Sequence, residues 1–346
     1  MPENAQPFVT VIMPIRNEMD FIARGICSIL DNDYPRDKME ILVVDGCSND
    51  GTREIVEKIA TKDERVILLT NTAKIVSTAL NIGLRVAQGE IFIRIDGHAE
   101  VPPDFIINSV RCLSEHPEAW VAGGYLETIA NSYVGQSIAL TMQSPIGVGN
   151  SRFRLGNYEG WVDTLAFGAH HKWVIDKIGY FDEELVRNQD DEFNLRIILA
   201  GGKIWMSKLI RSIYYSRSSL EKLWRQYFQY GFWRIRTMQK HKKAANLRQA
   251  VPLLFISSII LLGIGSCYSE TVRLFLTAEL VVYFFGLLVG TVSIACKSGW
   301  RYALISPLIF LILHFAYGLG SLWGIIRFVL FKRWKIQRPE DARLSR

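Results

Sequence analysis

Acidic residues mark the ends of predicted structural elements at three places in this chain. Asp45 ends one apolar, strand-like run, and Asp96 ends another, with His98 two positions later. The third group, Gln189–Glu192, lies just ahead of a helical pattern. In an open α/β sheet, ligands bind beyond the carboxyl ends of the strands. This placement predicts a fold whose sheet brings carboxylates together around one ligand and its metal ion.

Strand and helix patterns alternate through the first part of the chain, which is typical of βαβ units and predicts mainly parallel pairing. Asn17 is a candidate N-cap for the first helix. We predict strands at 8–13, 40–44, 66–69, 91–95 and 120–127, and helices at 19–30, 53–60, 78–87, 104–115, 174–179 and 193–200.

From about Val251 the sequence becomes almost continuously apolar. The runs 253–267, 274–296 and 302–330 each reach or approach the length of a membrane span. Basic residues precede the first run and follow the last. Nucleic acid could attract such clusters, but their position favours the positive-inside rule and contact with anionic lipids. The sequence thus predicts a membrane anchor and no nucleic-acid partner.

The same rule places three basic segments in the cytoplasm: the one before Val251, the one at Lys297 and Arg301, and the one after Arg327. The turn 268–273 would lie outside. The first two runs would form a hairpin, and 302–330 would bend near His314–Gly320 to return to its side of entry. The polar start Met1–Pro7 resembles no signal peptide. We therefore expect the catalytic domain in the cytoplasm, anchored to the inner (plasma) membrane.

The predicted organisation has four parts: a catalytic α/β domain over 1–218, an amphipathic interface helix and basic linker over 219–249, membrane helices over 250–331 and a basic cytoplasmic tail over 332–346. The aromatic stretch 220–238 is expected to lie on the membrane surface, and a core helix is the alternative. The five cysteines are odd in number and lack metal-ligand spacing, which argues against a disulfide framework or a zinc site.

Asp96 and His98 flank Gly97, and this spacing lets both side chains reach one ion at a strand end. The pair suits Mg²⁺ or Mn²⁺, with the oxygens of a bound diphosphate completing the coordination. A carboxylate nearby could remove the proton from an attacking hydroxyl.

Six motifs in order make the region from Val9 to Met206 resemble the inverting family-2 glycosyltransferases, which have a GT-A fold. They are PIRNE (14–18), VVDGCSNDGT (43–52), ALNIG (79–83), AQGE (87–90), GYFDE (179–183) and QDDEFNLR (189–196). The resemblance implies a mixed, Rossmann-like sheet flanked by helices. It also implies a nucleotide-sugar pocket in which Asp45 reads the base, Glu18 supports the ribose side and Asp96 lies nearest the diphosphate and its metal.

The chain departs from the family pattern at two positions. His98 stands where the family usually has the second aspartate of its D-x-D motif, although histidine can still bind a metal. Gln189 stands where the first acid of a pair is usual, so Asp190 becomes the predicted general base, with Asp191 as the alternative. The D-x-H form and the segments 162–164 and 226–234 look most like the succinoglycan-biosynthesis branch of bacterial exopolysaccharide transferases. That branch extends a polyprenyl-diphosphate-linked sugar.

The predicted site residues fall into three sets. The nucleotide-sugar set is Pro14, Arg16, Asn17, Glu18, Asp45, Lys74, Asn81, Arg94, Asp96 and Gly97. The diphosphate or acceptor set is Arg152, Arg154, Asp163, Arg217, Gln229 and Trp233, and the metal set is Asp96 and His98. The glycine-rich stretch 142–164 that holds the first two of these arginines is either a mobile anion-binding loop or a long surface connection.

The leading hypothesis is a membrane-anchored inverting enzyme that moves a hexose from a UDP-sugar to a polyprenyl-diphosphate-linked glycan. One alternative is a processive synthase, but Phe232 interrupts the Q-x-x-R-W motif of such enzymes at 229–233. The other is a membrane scaffold or transporter with a nucleotide-sugar-binding domain that has no catalytic activity.

Overall fold

A computed structural model describes residues 6–156, 158–216, 219–242 and 247–332, and they form two compact units. The first unit takes residues up to Glu127 and Arg152–Tyr215. The second takes Thr128–Ser151 and the chain from Ser216 onward.

The first unit is built on a mixed sheet. Its strands are β1 (Val9–Ile15), β2 (Met39–Asp45), β3 (Val66–Thr70), β4 (Ile91–Arg94), β5 (Ala99–Glu100), β6 (Ala119–Ile129), β7 (Gly160–Val162), β8 (Ala169–His171) and β9 (Lys203–Tyr215). The order is β3-β2-β1-β4-β8-β6-β9-β5, and β7 pairs with β9. β1 to β4 pair in parallel, whereas β8 is antiparallel to both β4 and β6. The predicted mixed sheet is therefore confirmed.

Helices cover both faces of this sheet. They are α1 (Ile22–Leu30), α2 (Thr52–Ala60), α3 (Val76–Val86), α4 (Phe105–Glu115), a short α7 (Arg152–Leu155), α8 (Trp173–Ile178) and α9 (Gln189–Leu199). Successive strand residues point to opposite faces. Val11 therefore packs in the cluster that contains α1 and α4, and Ile12 packs in the cluster that contains α3 and α9.

The sequence suggests Asn17 as the N-cap of the first helix, but the structure shows that it is not. The residue has a left-handed backbone (φ 53°), and its side-chain oxygen accepts a hydrogen bond from the Asn49 backbone N–H at 3.0 Å. The helix begins only at Ile22, because the preceding residues are held against the loop that follows β2.

The second unit is helical. It contains α5 (Tyr133–Met142), α6 (Pro145–Val148), α10 (Leu220–His241), α11 (Leu247–Gly265), α12 (Glu270–Ser298), α13 (Trp300–Ala303) and α14 (Ser306–Gly324), which continues as a π-helical turn over Ile325–Leu330. Two segments of the described chain, Glu270–Ser298 and Trp300–Leu330, are long and apolar enough to cross a membrane by length and composition alone. Gln249–Gly265 is a shorter apolar helix.

The domain boundary differs from the predicted one at residues 128–151, which we had placed in the catalytic domain. Ile138 and Met142 of α5 pack in one apolar cluster with Leu223 of α10 and Leu313 of α14. Burial of this face groups the segment with the C-terminal helices. The glycine-rich stretch 142–164 also forms defined elements, since α6, α7 and β7 all lie within it.

The predicted break near His314–Gly320 is wrong, because α14 is continuous through it. The glycines serve close helix packing instead. A Cβ at Gly320 would lie 2.0 Å from the Phe228 carbonyl oxygen, and one at Gly231 would lie 2.0 Å from the Tyr317 carbonyl oxygen. Small residues let helix backbones approach closely. The bent, re-entrant topology that depended on this break is therefore not retained.

The aromatic face of α10 is covered by protein, and the expected position of this helix on the membrane surface stays a prediction. Leu223 and Trp233 are 0% and 1% exposed, and Trp233 packs near Phe328. This burial is what the alternative, a core helix, predicts. By contrast, α11 and α12 expose large apolar side chains such as Leu261 and Val282, at 70% and 72%.

Candidate active site at the carboxyl edge of the sheet

The loop that follows β2 is organised by the Asp45 carboxylate. Asp45 is fully buried, and its Oδ1 accepts hydrogen bonds from the Ser48 backbone N–H at 3.1 Å and the Ser48 hydroxyl at 2.6 Å. The Arg53 guanidinium lies 3.4 Å from Oδ2. The carboxylate thus shapes the loop, and its predicted contact with a nucleotide base stays a prediction.

A second loop, after β1, is tied to the first. The Asn17 backbone N–H donates to the Ser48 hydroxyl at 2.8 Å, and the Glu18 backbone N–H donates to the Thr52 hydroxyl at 2.7 Å. Pro14 is buried within β1, opposite Val44. The PIRNE and VVDGCSNDGT motifs therefore form one structural element at the sheet edge.

His98 is held by Glu18, a contact that the sequence did not predict. The His98 Nδ1 lies 3.0 Å from Glu18 Oε1, and the Tyr214 ring meets the imidazole edge-on with centroids 4.9 Å apart. Gly97 permits this approach, because a Cβ there would lie 2.9 Å from both Glu18 Cγ and Ile15 Cγ2. Burial alone would lower the pKa of His98, but the electrostatic interaction with Tyr214, the Glu18 hydrogen bond and the negative charges of Glu18 and Asp96 raise it to about 9.

Arg94 joins Asp96 to Asp190. Its Nε and Nη2 donate to Asp96 Oδ1 at 3.0 and 2.8 Å, and its Nη1 lies 3.6 Å from Asp190 Oδ2. Burial would raise the pKa of Asp96, but the positive charges of Arg94, His98 and Arg187 lower it overall. β4 ends at Arg94, and α9 begins at Gln189, so the second and third acidic groups meet through one guanidinium.

Asp190 and Asp191 have different surroundings although they are adjacent in the first turn of α9. Asp191 Oδ1 accepts a hydrogen bond from the Thr164 hydroxyl at 3.0 Å. The Asp190 side chain is 43% exposed and lies beside Arg94. Burial of the carboxyl raises the pKa of Asp190; the charge of Arg94 opposes this, and that of Asp191 adds to it. A raised pKa brings a carboxylate closer to the range useful for a general base.

Arg196, the last residue of the QDDEFNLR motif, is structural. Its guanidinium pairs with Glu192 at 2.8 and 3.0 Å and donates to the Tyr180 carbonyl at 2.9 Å. Asn81 is also structural. Its side-chain amide donates a hydrogen bond to the Phe181 carbonyl and accepts one from the Phe181 N–H, and the residue is 2% exposed. The side-chain amide of Asn81 is therefore taken up by the loop at Phe181.

The remaining predicted residues are more dispersed. Lys74 is exposed in the loop after β3. Arg16 directly follows β1, and its side chain packs against Gly46. The Arg152 guanidinium stacks 3.7 Å from the Tyr158 ring centroid and donates to the Trp161 carbonyl, while Arg154 lies beside Phe153. Asp163 directly precedes Thr164 in the chain. Gln229 and Trp233 are buried in the second unit, and Arg217 lies outside the described residues.

Three contributors were missed: Thr164, Tyr214 and Arg187. Arg187 stands three residues before Asp190, so adjacency to an acidic group could have suggested it. Tyr214 lies in β9, and its position beside His98 depends on the pairing of β9 with β5, which no local sequence pattern predicts. The partner of Asp191 likewise depends on a contact between residues distant in sequence.

A divalent metal can be tested against these side chains. His98 Nε2 is buried and has no hydrogen-bond partner among the described residues. The other ring nitrogen, Nδ1, contacts the Glu18 carboxylate, and metal-binding imidazoles are usually oriented by a carboxylate in this way. Within the described ranges no three His, Cys, Asp or Glu residues could hold an ion together. Asp96 and His98 would therefore supply two ligands of such a metal, His98 only after losing the proton that its raised pKa favours, and a diphosphate would supply the others.

Comparison with known proteins agrees with this architecture. The family model for glycosyl transferase family 2 matches residues 10–161. The chain also aligns along 92% of its length with a solved structure, a mannosyltransferase from Pyrobaculum calidifontis in complex with GDP-mannose and Mn²⁺, with a TM-score of 0.61, 19% identity and 88% of that chain covered. The likeness establishes a shared GT-A-type fold.

Two curated relatives extend the match in sequence. Succinoglycan biosynthesis protein ExoA of Rhizobium meliloti is 32% identical over 246 residues, covering 70% of this chain and 74% of ExoA. A dolichyl N-acetyl-α-D-glucosaminyl phosphate 3-β-D-2,3-diacetamido-2,3-dideoxy-β-D-glucuronosyltransferase of Methanococcus voltae is 26% identical over 330 residues, covering 92% and 98%. This chain belongs to glycosyltransferase family 2, and it is a glycosyltransferase.

Proposed function

We propose that this enzyme transfers a hexosyl group from a UDP-sugar to a polyprenyl-diphosphate-linked glycan during the synthesis of an extracellular or surface polysaccharide. The observation that carries the proposal is the arrangement of Asp190, Arg94 and Asp96 at one edge of the sheet. It sets a candidate base beside a candidate diphosphate site, which is what a direct displacement at a sugar carbon requires.

In this mechanism Asp190 accepts the proton of the acceptor hydroxyl as its oxygen attacks the anomeric carbon. The bond from that carbon to the diphosphate breaks on the opposite face, so the anomeric configuration is inverted. Arg94 lies 3.6 Å from the Asp190 carboxylate and offsets part of the negative charge around it. Asp191 is held by Thr164, which leaves the neighbouring carboxylate as the better placed base.

The donor side of the site is formed by Asp96, His98 and Glu18. Asp96 and His98 would hold a divalent metal, Mg²⁺ or Mn²⁺. When bound, this cation would neutralise the negative charge that gathers on the departing diphosphate. Glu18 holds the imidazole through Nδ1, which leaves Nε2 as the nitrogen that would bind the cation.

The exposed apolar surfaces of α11 and α12 support a place for the second unit in the bilayer. Residues such as Leu274 and Phe285, at 69% and 65% exposure, would be costly in water. Membrane attachment brings an enzyme to a lipid-linked acceptor, and the printed name of the Methanococcus voltae relative describes such an acceptor for that protein. We place the enzyme at the cytoplasmic face of the plasma membrane.

The proposal can be tested with the full-length protein in lipid nanodiscs. Radiolabelled UDP-glucose, UDP-galactose, UDP-N-acetylglucosamine and GDP-mannose would each be supplied together with polyprenyl-diphosphate-linked sugars. We expect transfer from one UDP-sugar into an organic-extractable lipid, dependent on Mn²⁺ or Mg²⁺. Long, water-soluble polymer as the product would favour a processive synthase. Donor binding without transfer to any lipid-linked acceptor would contradict the proposal.

A further inference from the structure

A concave site lies in the first unit, away from the acidic edge. It is a cavity of about 420 Å³, within the range of small-ligand sites. Its lining includes Gln88, Glu90, His171, Trp173, Asp176 and Tyr180. Glu90 directly precedes β4, whereas Asp96 follows it, so the two sites lie at opposite ends of this strand, about 20 Å apart at the usual rise per residue.

Aromatic rings provide the walls of this cavity. Trp173 and Tyr180 are 41% and 42% exposed, so part of each ring is open to a ligand, although the Arg85 guanidinium lies 5.3 Å from the centroid of the Tyr180 ring. The His171 ring lies nearly parallel to Trp173, with centroids 5.7 Å apart and 17° between the planes. Trp120 meets Trp173 edge-on at 5.0 Å, which fixes the orientation of the exposed indole.

Polar side chains provide the rest of the lining. Gln88, Glu90 and Asp176 are exposed, and no hydrogen bond engages their side chains within the described chain. Amide and carboxylate groups together offer donors and several acceptors to a ligand rich in hydroxyls. Lys172, the cation among the lining residues, donates its ammonium to the Ala87 carbonyl.

Aromatic rings together with carboxylate and amide groups are typical of sites that bind carbohydrate. Sugar rings pack their C–H faces on aromatic planes and direct their hydroxyls to carboxylates and amides. A nucleotide or other polyphosphate would instead bring negative charge beside Glu90 and Asp176, which is unfavourable. We propose that this cavity is a binding site for a short, uncharged oligosaccharide, separate from the site of sugar transfer.

Such a site would let the enzyme hold part of a glycan while another sugar is added elsewhere. Effective concentration rises when one molecule occupies two linked sites. The inference depends on the cavity itself, so it can fail while the proposed transfer reaction holds, and the reverse is equally true.

The test uses the full-length protein in lipid nanodiscs, because a glycoside detergent would compete for the site. Cellotetraose, laminaritetraose and maltotetraose serve as probes, and binding is followed by saturation-transfer NMR and isothermal titration. We expect saturable binding of at least one probe, unaffected by excess UDP. Trp173→Ala should weaken it by about tenfold or more, which is the usual effect of losing an aromatic anchor.

Matched variants separate binding from folding. Trp161→Ala removes an indole of similar exposure, 36%, from β7 and should leave probe affinity unchanged. Because Trp173 also packs on Trp120, Asp176→Asn and Glu90→Gln provide tests at exposed positions where shape is conserved, and each should weaken binding without lowering the melting temperature. Absence of saturable binding for all three probes, or equal loss in Trp161→Ala, would overturn the inference.

Discussion

Replacing Arg94 with methionine should move the acidic limb of the pH–activity profile to higher pH. The proposed base, Asp190, must be deprotonated to act, so activity falls as pH drops through its pKa. Burial raises the pKa of Asp190, and the positive charge of Arg94 opposes that rise. Removing the guanidinium therefore raises the pKa further, and a larger fraction of the enzyme is protonated and inactive at mildly acidic pH.

The size of the effect follows from the distance between the charges. At 3.6 Å, two unit charges interact by about 1 kcal/mol in water and about 5 kcal/mol at an effective dielectric constant near 20. The Asp190 side chain is 43% exposed, so solvent screening brings the value toward the lower end, about 1–2 kcal/mol. That corresponds to a shift of about one pKa unit.

The assay is kcat at saturating donor and acceptor between about pH 5 and pH 9 for three enzymes. Wild type and Arg94→Lys, which keeps the positive charge, should have acidic limbs at similar pH, and that of Arg94→Met should lie about one unit higher. Superimposable profiles for wild type and Arg94→Met, measured at equal donor saturation, would refute the electrostatic role of Arg94.

Two further predictions concern the donor site and the helical unit. Glu18→Gln should weaken Mn²⁺ binding in the presence of UDP by about 10–100-fold, because the amide no longer fixes His98; unchanged affinity by calorimetric titration would exclude this role. Gly320→Ala should destabilise the protein by about 1–3 kcal/mol, since its methyl group would meet the Phe228 carbonyl. Gly263→Ala, with nothing within 4 Å of its Cβ, is the control, and equal melting temperatures for the two variants would contradict the packing argument.

The parallel part of the sheet could be predicted because its information is local. Apolar runs such as the one ending at Asp45, followed by turn residues and a helical period, specify β1 to β4 and their helices almost in register with the structure. The long strand β9, which spans Lys203–Tyr215, was not predicted, and neither were the short strands β5, β7 and β8. The short ones differ from β9 in their length. They contain two or three residues each, and only pairing with distant partners makes them strands.

The helical unit shows where composition misleads. Glycines in the last apolar run suggested a bend, but Gly318 and Gly320 face neighbouring helices at distances that exclude a side chain. The aromatic residues of α10 suggested a position on the membrane surface, which stays a prediction, but Trp233 is in a protein core. In both cases the residue type favours more than one environment, and tertiary packing decides between them.

The candidate site was predicted as a set of acidic positions but not as a network. Motif order brought Asp96, His98 and Asp190 to notice, and the structure places Arg94 between two of them. The contacts of Glu18 with His98 and of Thr164 with Asp191 join residues far apart in the chain. No spacing rule connects such pairs, so their roles emerge only from the folded arrangement.

The most direct test of the account is the turnover of Asp190→Asn beside that of Asp191→Asn, with the anomeric configuration of the wild-type product read by NMR. Loss of a general base costs about a hundredfold to ten-thousandfold in kcat. We predict that loss for Asp190→Asn with donor affinity nearly unchanged, a smaller loss for Asp191→Asn, and a product of inverted configuration. Full turnover in Asp190→Asn, or a product that retains the donor's configuration, would contradict the account.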